Sequence, residues 1–283
     1  MTETHSTKKK KEVNVEKEMT FWEHLTELRG MLFRSVIAIT LVGILAFIKR
    51  DIIFDKVILA PLDSGFFTNQ ILCKLGELIS MKSLCMEELT LRLVNIRMSG
   101  QFTTHLYVSI MAAVILSFPY LVWELWRFIR PALLPGERKY SRGAVMASSV
   151  LFVAGILFSY YLIVPLTINF FGTYQVSQEV ENTISLSSYI STVVSVTIAC
   201  GLVFEMPVFV YFLTKVGIIS PAFLRKNRKY TLVILLTLSA IITPPDIFSQ
   251  VLVTLPLMVL YEISILVSAR VFKKKETAEA LAG

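Results

Sequence analysis

Long apolar stretches without Asp, Glu, Lys or Arg set the pattern of this chain. Val36–Ile48 is the first, and it reaches back to Met31 if the Arg34 side chain snorkels toward water. Phe102–Trp123 and Gly143–Gln178 follow. Asn182–Thr214 is broken only by Glu205, and Tyr230–Pro245 precedes Ile247–Ala269, which is broken by Glu262. A helix needs roughly 20 mostly apolar residues to cross about 30 Å of hydrocarbon. The pattern therefore predicts an all-α membrane protein with six transmembrane helices. Pro244-Pro245-Asp246 cannot continue a helix. Tyr230–Ala269 reads either as two short spans with a tight turn or as one interrupted segment. A helix of about 13–16 residues reaches only about 20–24 Å, so short closing spans thin the bilayer or sit shielded in a concave bundle.

Composition agrees. Apolar residues make up 54% of the 283, charged residues only 17%, and the mean hydropathy is +0.65. Ordinary soluble domains carry about 25% charge. Three cysteines are too few for a disulfide scaffold. Cys200 reads as a small packing residue in the fourth span. Cys73 and Cys85 share the outer loop, where either a bridge or two free thiols is open.

The net charge of +7 takes its meaning from where the charges sit. With six spans both termini lie on one side. That side carries 21 of the 28 Lys and Arg, in residues 1–34, loops 123–143 and 213–230, and the C-terminal tail. The other side has seven, all within 49–101. Basic excess marks the cytoplasmic side, so the chain reads as N-in and C-in in the cytoplasmic membrane. Topology and anionic lipid account for the charge, and no nucleic-acid partner is expected. Residues 1–18 read as a disordered cytoplasmic tail with no signal peptide, 19–272 as the six-span core with outer loop 49–101, and 273–283 as a second tail.

Four features ask for more than a bundle. Thr20 and Glu23 have capping-box spacing, and Phe21, Leu25, Leu28 and Leu32 form one stripe. Glu23 and Glu27 fall on another face, either solvated charges or an acidic grip for a basic ligand. Pro119 is placed to kink the second span near its end, followed by Trp123, Trp126, Arg127, Phe128 and Arg130, then Pro131, Pro135 and Glu137. Glu137 reads as a first-turn acid or as a ligand group. Glu205-Met206-Pro207 puts a carboxylate inside a span, either hydrogen-bonded between helices or functional. Asp246 is placed to cap the sixth helix, and Pro61 to turn the chain after the first span. No P-loop, GxGxxG, CxxC or HExxH occurs, and His5, His24 and His105 lack ligand-like spacing. No enzyme, cofactor or metal site is expected.

These strings resemble the TatC family, the multispan receptor subunit of the twin-arginine protein translocase. The resemblance covers about 19–272. It rests on Phe21 with His24-Leu25-Thr26-Glu27-Leu28-Arg29, Ala60-Pro61-Leu62, and Phe118-Pro119 with Trp126, Phe128-Ile129, Pro131-Ala132-Leu133 and Glu137. It continues through Phe204-Glu205-Met206-Pro207, Ser220-Pro221 with Leu224-Arg225-Lys226 and Arg228-Lys229-Tyr230, and Thr243 to Gln250. It implies a receptor that binds twin-arginine signal peptides of folded cargo and nucleates export driven by the proton gradient. The implied signal site is Glu27 and Glu137, with Arg29, Leu25, Phe128 and Trp126 beside them. Two planar guanidiniums suit two separated carboxylates. The resemblance also implies that Glu205, with Pro207, meets a polar group on a TatA/TatB-type single-span partner, and that the subunit self-associates in a larger complex. Position 124 departs from the family: Glu stands where Gln is common, and Arg127 and Arg130 could pair with it or with Glu137. A proton-coupled transporter or channel is the rival reading, since acids and Pro-broken helices mark such sites. No repeat between 31–166 and 189–269 supports it.

Overall fold

The structure, a computed structural model, describes residues 21–63, 65–71, 73, 93–130, 141–177, 183–242 and 247–280. Glu137, Asp246, Cys85, Thr20 and the tail 1–18 lie outside the described residues.

Helix α1 spans Phe21–Ile48, a run with no proline and only Gly30 and Gly43 as weak helix formers. A π-helical turn over Ile52–Ile58 and a 3-10 turn over Ala60–Leu62 follow, the latter with Pro61 buried where a turn was expected. Strand β1 is Leu93–Val94, and α2 is Gly100–Ile129. Pro119 is accommodated inside an unbroken α2. Helix α3, Ser141–Phe158, passes through a π turn over Ser159–Ile163 into α4, Val164–Thr173. Strand β2 is Ile184–Ser185, and it pairs in parallel with β1. Helices α5, Leu186–Phe204, and α6, Met206–Val216, are separated only by Glu205. Helix α7 is Pro221–Lys226, α8 Arg228–Ile242 and α9 Ile247–Ala280.

Among the described residues five stretches are long and apolar enough to cross a bilayer: Trp22–Ile48, Gly100–Ile129, Gly143–Thr173, Leu186–Val216 and Gln250–Lys273. The α8 segment is the short one, with 15 residues, about 22 Å of rise. Helix α9, expected as a short sixth span, is not short. It runs 34 residues, beyond the apolar Ile247–Ala269 and through the expected tail, because Lys273–Ala280 holds only strong helix formers and Thr277.

Two cores hold the bundle. One joins Val196, Cys200 and Phe204 of α5 to Val210, Leu224, Leu235 and the α9 residues Val253, Leu257 and Ile265. The other joins Ile58, Val108, Val164 and Ile168 to Tyr189, Ile190, Val193 and Val194. Two tyrosines pin the π turn after α1: Tyr160 Oη donates to Val57 O at 2.8 Å and Tyr189 Oη to Ile58 O at 2.6 Å. Cys200 is buried and free, and Cys73 is disulfide-bonded. The end of the bundle where α1 starts and α2 stops, with Arg29, Arg127 and Arg130, is its basic end.

Candidate functional site

Helix α1 packs along α2 in antiparallel fashion. At the basic end His24 stacks on Phe128 with ring centroids 4.3 Å apart. Midway, a Cβ on Gly43 would sit 3.5 Å from that of Ala113, so the backbones approach closely. At the far end Phe47 stacks on His105 at 4.0 Å, and its carbonyl lies 3.1 Å from His105 Nε2. The rest of α1 presents Leu32, Phe33, Val36, Leu41 and Leu45 outward, as a lipid-facing helix does.

The charged positions of this hairpin divide sharply. Glu124 is 1% exposed on α2. Its Oε2 accepts from Arg34 Nε at 3.0 Å and Nη2 at 2.7 Å, and its Oε1 accepts from Tyr120 Oη at 3.1 Å. Arg127 Nη1 stands 3.8 Å from the same carboxylate, with its guanidinium 5.8 Å from the Trp123 ring centre. The acid expected to pair with Arg127 or Arg130 is thus held chiefly by Arg34. Glu27 differs in kind. It is exposed, and it makes no hydrogen bond or ion pair with any described residue.

Helical geometry sorts the remaining positions expected at a signal site. At 100° per residue, Glu27 and Arg34 lie within about 20° of each other on one flank of α1. Leu25 and Arg29, two residues either side of Glu27, share a different flank, and both are exposed. Phe128 is half-buried under His24. Trp126 is 6% exposed, its ring 4.3 Å from Phe212 of α6, so it joins α2 to α6 rather than lining open space. His24, one turn before Glu27, lies against Phe128, whereas Leu25 and Arg29 fall on the flank of α1 away from Glu27 and Trp126 packs against Phe212.

The second polar site lies within the spans. Glu205 ends α5 and begins α6, because Pro207, buried at the start of α6, has no N–H to continue the α5 ladder. The Glu205 carbonyl accepts from Val208 N at 2.9 Å and Phe209 N at 3.1 Å. Its side chain is 4% exposed. Oε2 accepts from Ser148 Oγ of α3 at 2.6 Å, while Oε1 has no partner among the described residues. Gly155, two turns further along α3, makes this approach possible. A Cβ there would lie 2.9 Å from Cys200 O and from Phe204 Cβ.

Two partners escape a reading by motif. Arg34 is one, a lone charge within the apolar run of α1, where snorkelling explained it without a counter-ion. Ser148 is the other, one hydroxyl in the small-residue run Ala147-Ser148-Ser149. Among the described residues no group of His, Cys, Asp and Glu could hold a metal ion.

Comparison with known proteins agrees with this architecture. The sequence profile of the family described as "Sec-independent protein translocase protein (TatC)" matches residues 23–256. The Sec-independent protein translocase protein TatC of Blattabacterium sp. subsp. Periplaneta americana (strain BPLAN) is 41% identical over 264 residues, 93% of this chain and 99% of the relative. TatCy of Bacillus subtilis (strain 168) is 35% identical over 268 residues, 93% of this chain and 94% of the relative. A crystal structure of the twin-arginine translocase receptor TatC in DDM superposes with a TM-score of 0.66 at 31% identity, covering 87% of this chain and 99% of that one. With five bilayer-length helices and these likenesses along nearly its whole length, this chain is a multi-pass membrane protein and belongs to the TatC family of Sec-independent protein translocase proteins.

Proposed function

We propose that this chain is the receptor subunit of a twin-arginine translocase in the cytoplasmic membrane, with both termini cytoplasmic. It binds the paired arginines of folded cargo through Glu27 and Glu137. One observation carries the reading: Glu27 is an exposed carboxylate at the basic end that makes no hydrogen bond or ion pair with a described residue, while Glu124 is buried and neutralised. A carboxylate in that state offers both oxygens to an incoming guanidinium without first breaking an ion pair. A lysine, a point charge without the planar fork, forms the weaker contact. The buried Glu205 carboxylate, with one oxygen unclaimed among the described residues, is the group that meets a polar side chain on a TatA/TatB-type single-span partner once that helix packs in. The proton gradient drives the export that this binding begins.

The test is equilibrium binding of a fluorescent twin-arginine signal peptide to the full chain in lipid nanodiscs. Binding should weaken by about tenfold or more in Glu27→Ala and further in Glu27→Ala with Glu137→Ala, on the scale of a lost charge-assisted pair. A twin-lysine peptide should bind weakly to all three. Equal capture by wild type and the double variant overturns the assignment.

A further inference from the structure

The Arg34–Glu124 pair lies outside the signal site yet shares its helices. We infer that Arg34 and Glu124 are positioning residues for signal recognition: their ion pair fixes the rotational setting of α1 on α2, and with it the flank on which Glu27 meets the signal. The inference rests on the proposed function.

Four observations carry it. First, the pair is fully engaged on the α2 side. Both Glu124 oxygens are claimed, by two Arg34 nitrogens and by Tyr120 Oη, and the carboxylate is 1% exposed. Rotating α1 away would strip the buried carboxylate of both Arg34 hydrogen bonds and leave it only the longer contact to Arg127 Nη1 at 3.8 Å, so the pair resists that rotation. Second, α1 has few other directional ties. It is lipid-facing over most of its length, and apart from the Phe47 carbonyl, 3.1 Å from His105 Nε2 at the far end, its remaining contacts to α2 are aromatic stacks and close backbone packing, which tolerate sliding. Third, Glu27 sits seven residues before Arg34. That is two turns, about 10 Å along the axis and within about 20° in angle, so a rotation that displaced Arg34 would carry Glu27 with it. Fourth, Gly30 clears the route. A Cβ at Gly30 would stand 3.2 Å from Arg34 Nη1, so the missing side chain gives the guanidinium its path across α1 to Glu124. A glycine inside a helix costs about 1 kcal/mol relative to alanine, and here the absent side chain has a use.

Neutralised by Arg34, Glu124 is withheld from an incoming arginine.

The test compares binding of a twin-arginine peptide and of the same peptide with one arginine replaced by lysine, using the full chain in nanodiscs. Arg34→Gln and Glu124→Gln should each weaken twin-arginine binding by about tenfold, the scale of a lost bidentate geometry, and bring the two peptides' affinities toward equality. The double variant, with two amides able to hydrogen-bond across the same gap, should recover most of both. Arg34→Lys, which keeps the charge and loses the fork, should fall between, and Gly30→Leu should resemble Arg34→Gln. Spin labels on cysteines introduced at Thr26 and Ile129 should show a broadened distance distribution in Arg34→Gln and a narrow one in the double variant. A merely structural defect would lower both affinities in proportion and would not be rescued. Wild-type binding with an unchanged affinity ratio in Arg34→Gln overturns this inference alone. Failure of the wild-type chain to prefer the twin-arginine peptide overturns the proposed function, and the inference with it.

Discussion

Gly155→Ala perturbs the crossing of α3 and α5 at one atom. The new Cβ would lie 2.9 Å from the Cys200 carbonyl oxygen and 2.9 Å from Phe204 Cβ. Ordinary contact begins near 3.4 Å, so the helices must part by about 0.5 Å. Neither neighbour can rotate away, because one is backbone and the other a Cβ. Overpacking of this kind costs about 1–3 kcal/mol, and the better helix propensity of alanine returns up to about 1 kcal/mol. The expected net loss is about 1–2 kcal/mol, read as a shift in the midpoint of SDS-driven unfolding from mild detergent micelles, followed by far-UV circular dichroism. Gly143→Ala is the internal control on the same helix. A Cβ there meets nothing within 4 Å, so it should leave stability unchanged or raise it by up to about 1 kcal/mol. If the two variants unfold at the same midpoint, small-residue packing does not set the distance between α3 and α5, and the account of how Glu205 reaches Ser148 fails with it.

Tyr189→Phe removes a buried hydroxyl that donates to Ile58 O at 2.6 Å. It should cost about 1–2 kcal/mol in the same assay and speed amide exchange over 52–62. Glu205→Gln keeps a group that can accept from Ser148 and should retain co-purification of a single-span partner, whereas Glu205→Ala should lose it on a pull-down from membranes. The Arg228–Glu262 pair is short, at 2.7 Å, but its side chains are 49% and 41% exposed. Glu262→Gln should therefore change stability by less than about 1 kcal/mol, and high salt should abolish the difference.

The membrane class, the spans and the Glu205-Pro207 break could all be read from the chain, because each is a local property: apolar length, a missing N–H, a charge in an apolar run. What could not be read depends on pairing across helices. Arg34 and Glu124 are 90 positions apart, and nothing in either neighbourhood specifies the other. Ser148 and Glu205 are separated by 57. The signal-site group was half separable for the same reason. The strings around Glu27 and Trp126 mark a family without saying which side chains face solvent, and Trp126 is buried against Phe212 of another helix. The length of α9 was missed because polar Lys and Glu look like tail in a hydropathy pattern, yet they are good helix formers.

The pairing of Leu93 with Ile184 and Val94 with Ser185 joins segments 91 residues apart. Two residues of ladder contribute little energy, but closing so long a loop carries an entropic cost that is met only once the intervening helices are in place. The two strands can therefore find each other only after α2, α3 and α4 have all threaded the bilayer. Protection of those few amides would serve as a molecular timestamp for completed insertion.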